Sequence, residues 1–545
     1  MIKKNNLVIL VVLLLAGFLR LHQISAVPPG PSLDEVSIGF NAKLLGETGR
    51  DEYGYRLPLL LRAYDDWRPA LYVYLVIPFV KLLGMHAVSV RLPAVALSLL
   101  SILVTFLLVQ EILFNLPDKK KKLIALFSVF LLAVSPWHVY LSRLGHEVNL
   151  GLTVTLLFLY FFFKFVHETN RRQLYLVLTG IFWSLSFYAY QNQKIISPLL
   201  AFALLVLFKK EIFRVKKTVI VAFIVALAIF IPAFLVSLSP NALVRFRGTS
   251  IFLNNEIKDL SLVRIARDDE NGFVLGKIFD NRRLFISNIV LRSYLSHFDP
   301  TWLFLNTGRE SHKIPNLGLF YLWEIFLLVG GAYLFIKEKG LRKEKIFVIF
   351  WLIIAPLPGA ITTQAPHAMR SFNILPVPQL LSGFTLASLL IVTKLKKLVF
   401  GLLTLIFFTS GLFLYHNYFH TFPYEQSDSF QVSLQDALRF AIKNENKYQK
   451  IVVTNKRAGF QSYMFYLYLS DYSKDYLSGG GTVSGGFDQT HLIGKYEFRP
   501  IDWGKEDQKS STLFIGNHDD FANETSSFKL FNLLDGQPSI MIVSP

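Results

Sequence analysis

What most restricts this chain is a recurring pattern: apolar stretches of about twenty residues, separated over most of the sequence by short loops rich in lysine and arginine. A helix of about twenty apolar residues covers the ~30 Å hydrocarbon core of a bilayer. Such stretches recur from residue 7 to residue 420, and then stop. Composition agrees, since 52% of the 545 residues are hydrophobic and only 17% are charged, whereas a soluble domain carries about 25% charged residues. The chain therefore reads as a polytopic α-helical membrane protein over 1–420, followed by a small soluble α/β domain over 421–545.

About eleven transmembrane helices are expected, near 7–27, 87–114, 123–140, 149–166, 173–190, 193–208, 218–238, 317–336, 346–362, 371–393 and 398–418. The short loops on one side hold Lys119 to Lys122, Arg171 with Arg172, Lys209 with Lys210, Arg214, Lys216 and Lys217, and later Lys337, Lys339, Arg342, Lys343 and Lys345, then Lys394, Lys396 and Lys397. Basic short loops mark the cytoplasmic side. This places the N-terminus inside, and the long loops 28–86 and 239–316 and the segment after 419 outside. The location expected is the plasma membrane. Stretch 7–21 lacks a small-residue cleavage site and reads as a retained first helix, not a signal peptide.

The net charge of +18 does not indicate nucleic acid, because the cations sit as anchors between apolar segments and no aromatic-and-basic module accompanies them. The absence of cysteine excludes disulfides, thiolate zinc sites and thiol nucleophiles. In the first outer loop, 32–45 reads as a juxtamembrane helix ended by Gly46, and 67–83 as a short or re-entrant helix. In the C-terminal segment a helix at about 432–446 and strands at 451–454, 512–515 and 539–543 suggest α/β structure. The glycines at 479–481, 485 and 486 lack the Lys-Ser/Thr of a phosphate loop and read as a turn.

Four clusters could carry chemistry. Asp34 and Glu35 follow the first span; Ser32 with Glu35 makes a capping box and Asp34 suits a helix start, and an exposed cap can still present one carboxylate to a substrate. Next come Arg50, Asp51 and Glu52, then Asp65, Asp66, Trp67, Arg68 and Tyr72. Aromatics interleaved with charges at headgroup level suit a lipid-phosphate or sugar site. The third cluster holds Arg143, His146 and Glu147, with Arg143 and Glu147 spaced to share a helix face. The fourth holds His367 and Arg370, three apart. Any single arginine can be explained as snorkelling to the interface. Several on one side, beside aromatics or histidine, suggest an anion site, because a guanidinium donates two parallel hydrogen bonds to phosphate.

Taken in order, the D-E pair at 34–35, G-R-D-E-Y-G at 49–54, R-P-A-L-Y at 68–72, R-L-P at 91–93, V-S-P-W-H-V-Y-L-S-R at 134–143 and P-H-A-M-R-S at 366–371 resemble integral-membrane glycosyltransferases of the GT-C class. The branch is that of the bacterial relatives of dolichyl-phosphate-mannose protein mannosyltransferases and of the lipid A aminoarabinose transferase. The resemblance covers about 1–420. It implies a catalytic base at Asp34, with Glu35 second, and donor-phosphate contacts from Arg68, Arg143, Arg370 and His367. Around them, Asp51, Asp65, Asp66, Tyr72, His146 and Glu147 are candidate substrate-binding residues. Where the family often has K/R-P-P-L-Y, this chain has alanine at 70, which keeps the cation and alters the local geometry. An acidic residue near 147 is more often aspartate in the family.

The implied reaction transfers a sugar from a polyprenyl phosphate to a hydroxyl of a lipid, glycan or protein acceptor on the outer face, with inversion. The bilayer is a partner and nucleic acid is not. No cofactor is demanded; Asp34 and Glu35 offer oxygen ligands to a divalent cation, which leaves metal dependence open. The rival readings are a transporter or lipid flippase, and a structural or sensory membrane protein. Transporters carry mid-span ionisable residues or broken helices in matched halves; here the charges gather at one face and no inverted repeat is seen.

Overall fold

The structure is a computed structural model of the 545-residue chain. It describes every residue except 1, 65, 306–311, 457–460, 471, 473–475, 477–489, 508–510, 522–528 and 545, and of 2–6 only the backbone. Asp65 and the glycines at 479–481, 485 and 486 lie outside the described residues. Contacts divide the chain into two compact units. One comprises 1–20, 97–142 and 147–414; the other comprises 21–96, 143–146 and 415–545.

The first unit is helical. Each expected span contains a helix, and among the described residues five of these helices are long and apolar enough to cross a bilayer by themselves: Ala87–Ile112, Val148–His167, Lys216–Ser237, Phe372–Val392 and Lys396–Glu425. A sixth forms if Asp118–Val134 and Pro136–Ser142, bent by 58°, count as one span. At 173–190, 193–208, 317–336 and 346–362 the helices run only 15, 15, 14 and 13 residues. Helix length and composition among the described residues thus do not confirm eleven spans. Proline contributes to the shortfall: the Arg342–Ile354 helix stops just before Pro356, which has no N–H to continue the helix's hydrogen bonds.

Burial separates central from peripheral helices in this unit. The most apolar windows of Val148–His167 and Phe372–Val392 are 67% and 72% buried, whereas those of Lys216–Ser237 and Lys396–Glu425 are 17% and 6% buried. On the last helix Leu398, Phe400, Leu405 and Phe408 are all exposed, a distribution that makes sense only if hydrocarbon surrounds it. The Asp118–Val134, Glu324–Lys337 and Val377–Val392 helices pack together, and small residues make this possible. A side chain at Gly331 would strike the Leu381 carbonyl, and one at Gly383 would strike Ser128 and the Ile124 carbonyl. Close backbone approach of this kind drives helix association where the solvent is lipid.

Arg20 is fully buried in the same unit and is paired. The Arg20 guanidinium donates to the carbonyls of Ala16 and Ala133 and to His138 Nδ1 at 2.6 Å. Arginine only donates, so Nδ1 is the acceptor and the proton sits on Nε2, 3.1 Å from Ser101 Oγ.

The second unit joins 21–96 to the C-terminal segment. Helix Leu33–Thr48 begins with the expected capping box, Ser32 accepting from the Glu35 N–H and Glu35 accepting from the Ser32 N–H. It ends at Gly49 (φ +70°), not at Gly46; the left-handed turn that terminates a helix falls where glycine can adopt it. Nor does it show one wet face: Glu35, Val36, Ser37, Ile38, Gly39, Phe40, Asn41 and Ala42 are all buried. A Cβ at Gly39 would meet Tyr468 and Val90, so the helix is sunk into its unit. Within 67–83, strand Asp66–Pro69 pairs with Leu60–Ala63 as a hairpin, and helix Leu71–Leu83 follows.

The C-terminal part carries a six-stranded mixed sheet, ordered His491–Ile493, Tyr496–Phe498, Lys450–Val453, Thr512–Asn517, Pro538–Val543, Lys529–Asn532. Lys450–Val453 runs parallel to both of its neighbours, and the remaining pairs are antiparallel. Val452, Phe514, Met541 and Val543 build a core on one face with Ile501, Phe521 and Trp503. Helix Val432–Asn444 packs on Pro538–Val543 and Lys529–Asn532. The three strands and the helix expected from sequence are present within two residues of their expected ends.

Candidate functional site

The second unit brings the D-E pair into two different environments. Position 34 is the second residue of the Leu33–Thr48 helix and projects outward; position 35 is the third and turns back into the cap. Glu35 is 1% exposed and its carboxylate is saturated. Oε1 accepts from Arg91 Nε at 2.7 Å and from the Gly145 N–H at 2.8 Å; Oε2 accepts from the Ser32 N–H at 2.8 Å and from Arg91 Nη2 at 3.1 Å. Arg91 in turn donates to the carbonyls of Ile24, Pro28 and Gly30. A fully buried ion pair thus ties together the turn after the first helix, the Ala87–Ile112 helix and the 143–146 turn.

Asp34 is different. Its side chain keeps 49% of its surface exposed while Arg68, only 7% exposed, donates to Oδ1 at 2.5 Å. Arg68 stands on the hairpin strand Asp66–Pro69, beside Leu61 on the partner strand. The Tyr64 hydroxyl donates to the Leu33 carbonyl, which fixes the hairpin against the helix start. The result is a carboxylate held in one orientation by a buried cation and presented at a surface. The structure brings Asp34 and Arg68 together; sequence had placed them in separate clusters.

The other candidates in this unit have structural surroundings. Arg143 is buried, its Nη2 donating to the carbonyls of His22 and Val27 at 2.7 Å, with its guanidinium 4.8 Å from the Phe419 ring centroid. Tyr72 is 1% exposed and donates to the Val90 carbonyl. His146 is buried in the turn whose Gly145 caps Glu35. Asp51 Oδ1 accepts from the N–H groups of Tyr53 and Tyr55, a side-chain-closed turn, and burial pushes its carboxyl up. Asp66 Oδ1 accepts from the Trp67 N–H. Glu52, which no site assignment had used, is fully buried against Asn41, and burial pushes its carboxyl up to about 8.

Arg143 and Glu147 do not share a helix face. The Pro136–Ser142 helix stops just before Arg143, and the next helix starts at Val148 with Glu147 as its buried first cap residue. Gly145 breaks the run, and a Cβ there would strike the Val90 carbonyl.

The first unit holds Glu147, His367 and Arg370. Arg370 Nη1 donates to Thr362 Oγ1 at 2.7 Å and Nη2 lies 3.4 Å from Gln364 Oε1. His367 stacks on His312, and its N–H donates to His297 Nε2. Burial first, then the Arg370 charge, lowers its imidazole to about 2. Both causes favour the neutral imidazole.

Arg370 borders a cavity of about 300 Å³ whose lining includes Lys194, Arg245, Phe246, Leu243, Ile195, Ile361 and Thr362. No acid is among the lining residues. Three cations in an apolar wall suit an anionic head carried on a hydrocarbon tail. Sequence reasoning missed Lys194 and Arg245. The signal for the first was the polar run Gln191-Asn192-Gln193-Lys194 at the head of an otherwise apolar helix; the second was hidden among the many basic residues of a long loop.

Glu35 has no acceptor capacity left for a metal, and Asp34 is already paired with Arg68. Among the described residues no group of three or more His, Asp or Glu side chains is placed to share an ion.

Residues 68–235 match the family described as dolichyl-phosphate-mannose-protein mannosyltransferase. No curated protein matches the chain. Among solved structures, the chain is similar to the archaeal oligosaccharyltransferase AglB from Archaeoglobus fulgidus, in complex with an inhibitory peptide and a dolichol-phosphate, at 13% identity and a TM-score of 0.52, over 85% of this chain and 63% of that one. The same enzyme tethered to an acceptor peptide gives 13% identity, a TM-score of 0.50 and the same coverage. ArnT from Cupriavidus metallidurans bound to undecaprenyl phosphate gives 12% identity and a TM-score of 0.45 over 99% of this chain and 97% of that one. The chain spans less than two thirds of the length of the archaeal enzymes it matches. The resemblance to GT-C membrane glycosyltransferases read from the sequence holds for the fold.

Proposed function

We propose that this protein is a membrane glycosyltransferase that moves a sugar from a polyprenyl-phosphate donor to an acceptor hydroxyl at the outer membrane face by inverting displacement. The observation that carries this reading is the half-exposed Asp34 carboxylate fixed by buried Arg68 while its neighbour Glu35 is fully engaged. Of the two adjacent acids, only Asp34 is presented for chemistry. The match of 68–235 to a lipid-phosphate-dependent mannosyltransferase family supports the reaction class.

In this mechanism Asp34 is the general base. The acceptor oxygen attacks the anomeric carbon, its proton passes to the Asp34 carboxylate, and the bond from that carbon to the phosphate oxygen breaks with its electrons going to the phosphate. Attack opposite the leaving group inverts the centre. Glu35 and Arg91 are positioning residues: they hold the helix start that aims Asp34. Within the first unit, Lys194, Arg245 and Arg370 offer a cationic cavity to the phosphate head of a polyprenyl lipid. The polyprenyl tail keeps the donor in the bilayer, each buried CH₂ contributing about 0.8 kcal/mol. The N-terminus is cytoplasmic and the C-terminal segment extracytoplasmic in this reading.

The test is Asp34→Asn, which keeps size and removes the base. Transfer from undecaprenyl- or dolichyl-phosphate-linked sugars by the purified variant falls by about 10²–10⁴-fold if Asp34 is the base, with donor binding retained. A near-wild-type rate removes Asp34 from the mechanism.

A further inference from the structure

The C-terminal segment contains a second pocket, far less apolar than the cationic cavity described above. Its volume is about 220 Å³, below the ~300–1,000 Å³ typical of drug-sized ligands. It opens where strands Lys450–Val453 and Thr512–Asn517, which run parallel, both reach their C-terminal ends. In open sheets that is where ligands settle. Thr454 and Lys456 follow the first strand, Asn517 ends the second, and the start of helix Val432–Asn444 closes the remaining side with Ser433 and Leu434.

The hydrogen bonding inside this pocket is incomplete in a particular way. Asn517 is 4% exposed. Its Nδ2 donates to Asp520 Oδ2 at 3.1 Å, which fixes the orientation of the amide because a carboxylate can only accept. Its Oδ1 is buried and accepts nothing. Gln431 Oε1 is in the same condition. A buried acceptor without a donor is costly, about 1–3 kcal/mol. The helix start that carries Gln431 as its N-cap has no side-chain cap; its Val432 N–H donates to the Ser427 carbonyl, and the N–H groups of Ser433 and Leu434 have no partner inside the helix. Lys456 adds an ammonium held by Asp520, and Ser433 and Ser539 share a hydroxyl–hydroxyl bond at 2.8 Å.

An anion would satisfy the helix start but not Asn517 or Gln431, since it has no proton to give them. An apolar ligand would satisfy neither. A ring bearing several hydroxyls does both: its O–H groups donate to Asn517 Oδ1 and Gln431 Oε1, and its oxygens accept from the helix start and Lys456. From this geometry we propose that the pocket is a binding site for a single neutral sugar residue. This assignment stands independently of the transferase reading.

The experiment uses the full chain in detergent or nanodiscs with a set of neutral methyl pyranosides (gluco, galacto, manno and their N-acetylamino forms), read by saturation-transfer NMR. At least one of them receives saturation from the wild-type protein. Asn517→Leu weakens that binding by about three- to tenfold, the value of one lost hydrogen bond. Gln431→Gly provides the second variant: Gln431 has φ +47°, which glycine adopts readily, so the fold is kept while the acceptor is removed, and binding weakens to a similar extent. The same measurement on Asp34→Asn gives wild-type binding, so loss of transfer and loss of this site are told apart. The proposal is overturned if no pyranoside is bound, if both variants bind as wild type does, or if inorganic phosphate at constant ionic strength displaces the sugar.

Discussion

Replacing Glu35 by glutamine gives a sharp measure of what holds the candidate site in place. Both carboxylate oxygens accept two donors each: Arg91 Nε and the Gly145 N–H at one, Arg91 Nη2 and the Ser32 N–H at the other. A glutamine amide must place its NH₂ on one of these positions, where it meets two donors. Whichever way it turns, a donor pair is left facing a donor. The change also strips the fully buried Arg91 of its counter-charge. Breaking a buried pair by removing one partner costs about 3–5 kcal/mol, a large part of the ~5–15 kcal/mol that stabilises a typical domain. For a unit of this size about 2–4 °C accompanies each kcal/mol, so Glu35→Gln lowers the unfolding midpoint by roughly 6–20 °C. Tryptophan fluorescence of the detergent-solubilised protein, at one fixed scan rate because such unfolding is often irreversible, measures it. Arg91→Met in the Glu35→Gln background costs less than the two single changes added together, by about 1 kcal/mol or more, because the partners interact directly. A midpoint for Glu35→Gln within about 2 °C of wild type would refute the claim that this pair fastens the site.

Three further outcomes follow from the same structure. Glu52 has a folded-state pKa of about 8 against an ordinary 4.5, so its contribution to stability is complete below pH 4.5 and is lost as pH rises through 8. Unfolding midpoints between pH 5 and 9 should therefore decline more steeply for wild type than for Glu52→Gln, by about 1.4 kcal/mol per pH unit at most. Arg245→Gln removes one of three cations from the Lys194–Arg370 cavity; losing a charge-assisted hydrogen bond of about 1.5–3 kcal/mol weakens donor binding by roughly tenfold or more, measured as the donor concentration giving half-maximal transfer, while a change of less than twofold excludes the cavity as the donor site. A reporter fused after Phe419 lies outside the cytoplasm and one placed at Lys119–Lys122 lies inside; the same side for both would end the topology.

The sequence made the apolar helical region, the long polar-and-apolar segment after the first helix and the mixed C-terminal segment legible because each depends on local or one-dimensional information. Apolar runs announce helices whatever they pack against. Ser32 and Glu35 announce a cap because both partners lie within one turn, and the structure contains that cap. The expected ending at Gly46 failed for a related reason: any glycine can end a helix, and the left-handed turn falls three residues further on, at Gly49. Helix lengths were overestimated where polar or proline-bearing turns such as 187–192 and 355–361 interrupt apolar sequence without making it look less apolar.

The functional residues divide along the same line. Sequence alone picked out Asp34, Glu35, Arg68 and Arg143 as chemically suggestive, since their residue types and positions beyond the first span are visible in one dimension. The resemblance ranked Asp34 before Glu35, but the residues by themselves supplied no physical reason for that order. Only the tertiary structure decided that Arg91, 56 residues away, occupies Glu35, that Arg68 meets Asp34, and that backbone carbonyls take up the Arg143 fork. The reason is physical. A carboxylate's availability depends on how many donors surround it and on how much water reaches it, and both are properties of contacts between segments distant in the chain. The alternation of apolar and basic segments is written residue by residue, whereas the exposure of one oxygen is decided by the whole unit that folds around it.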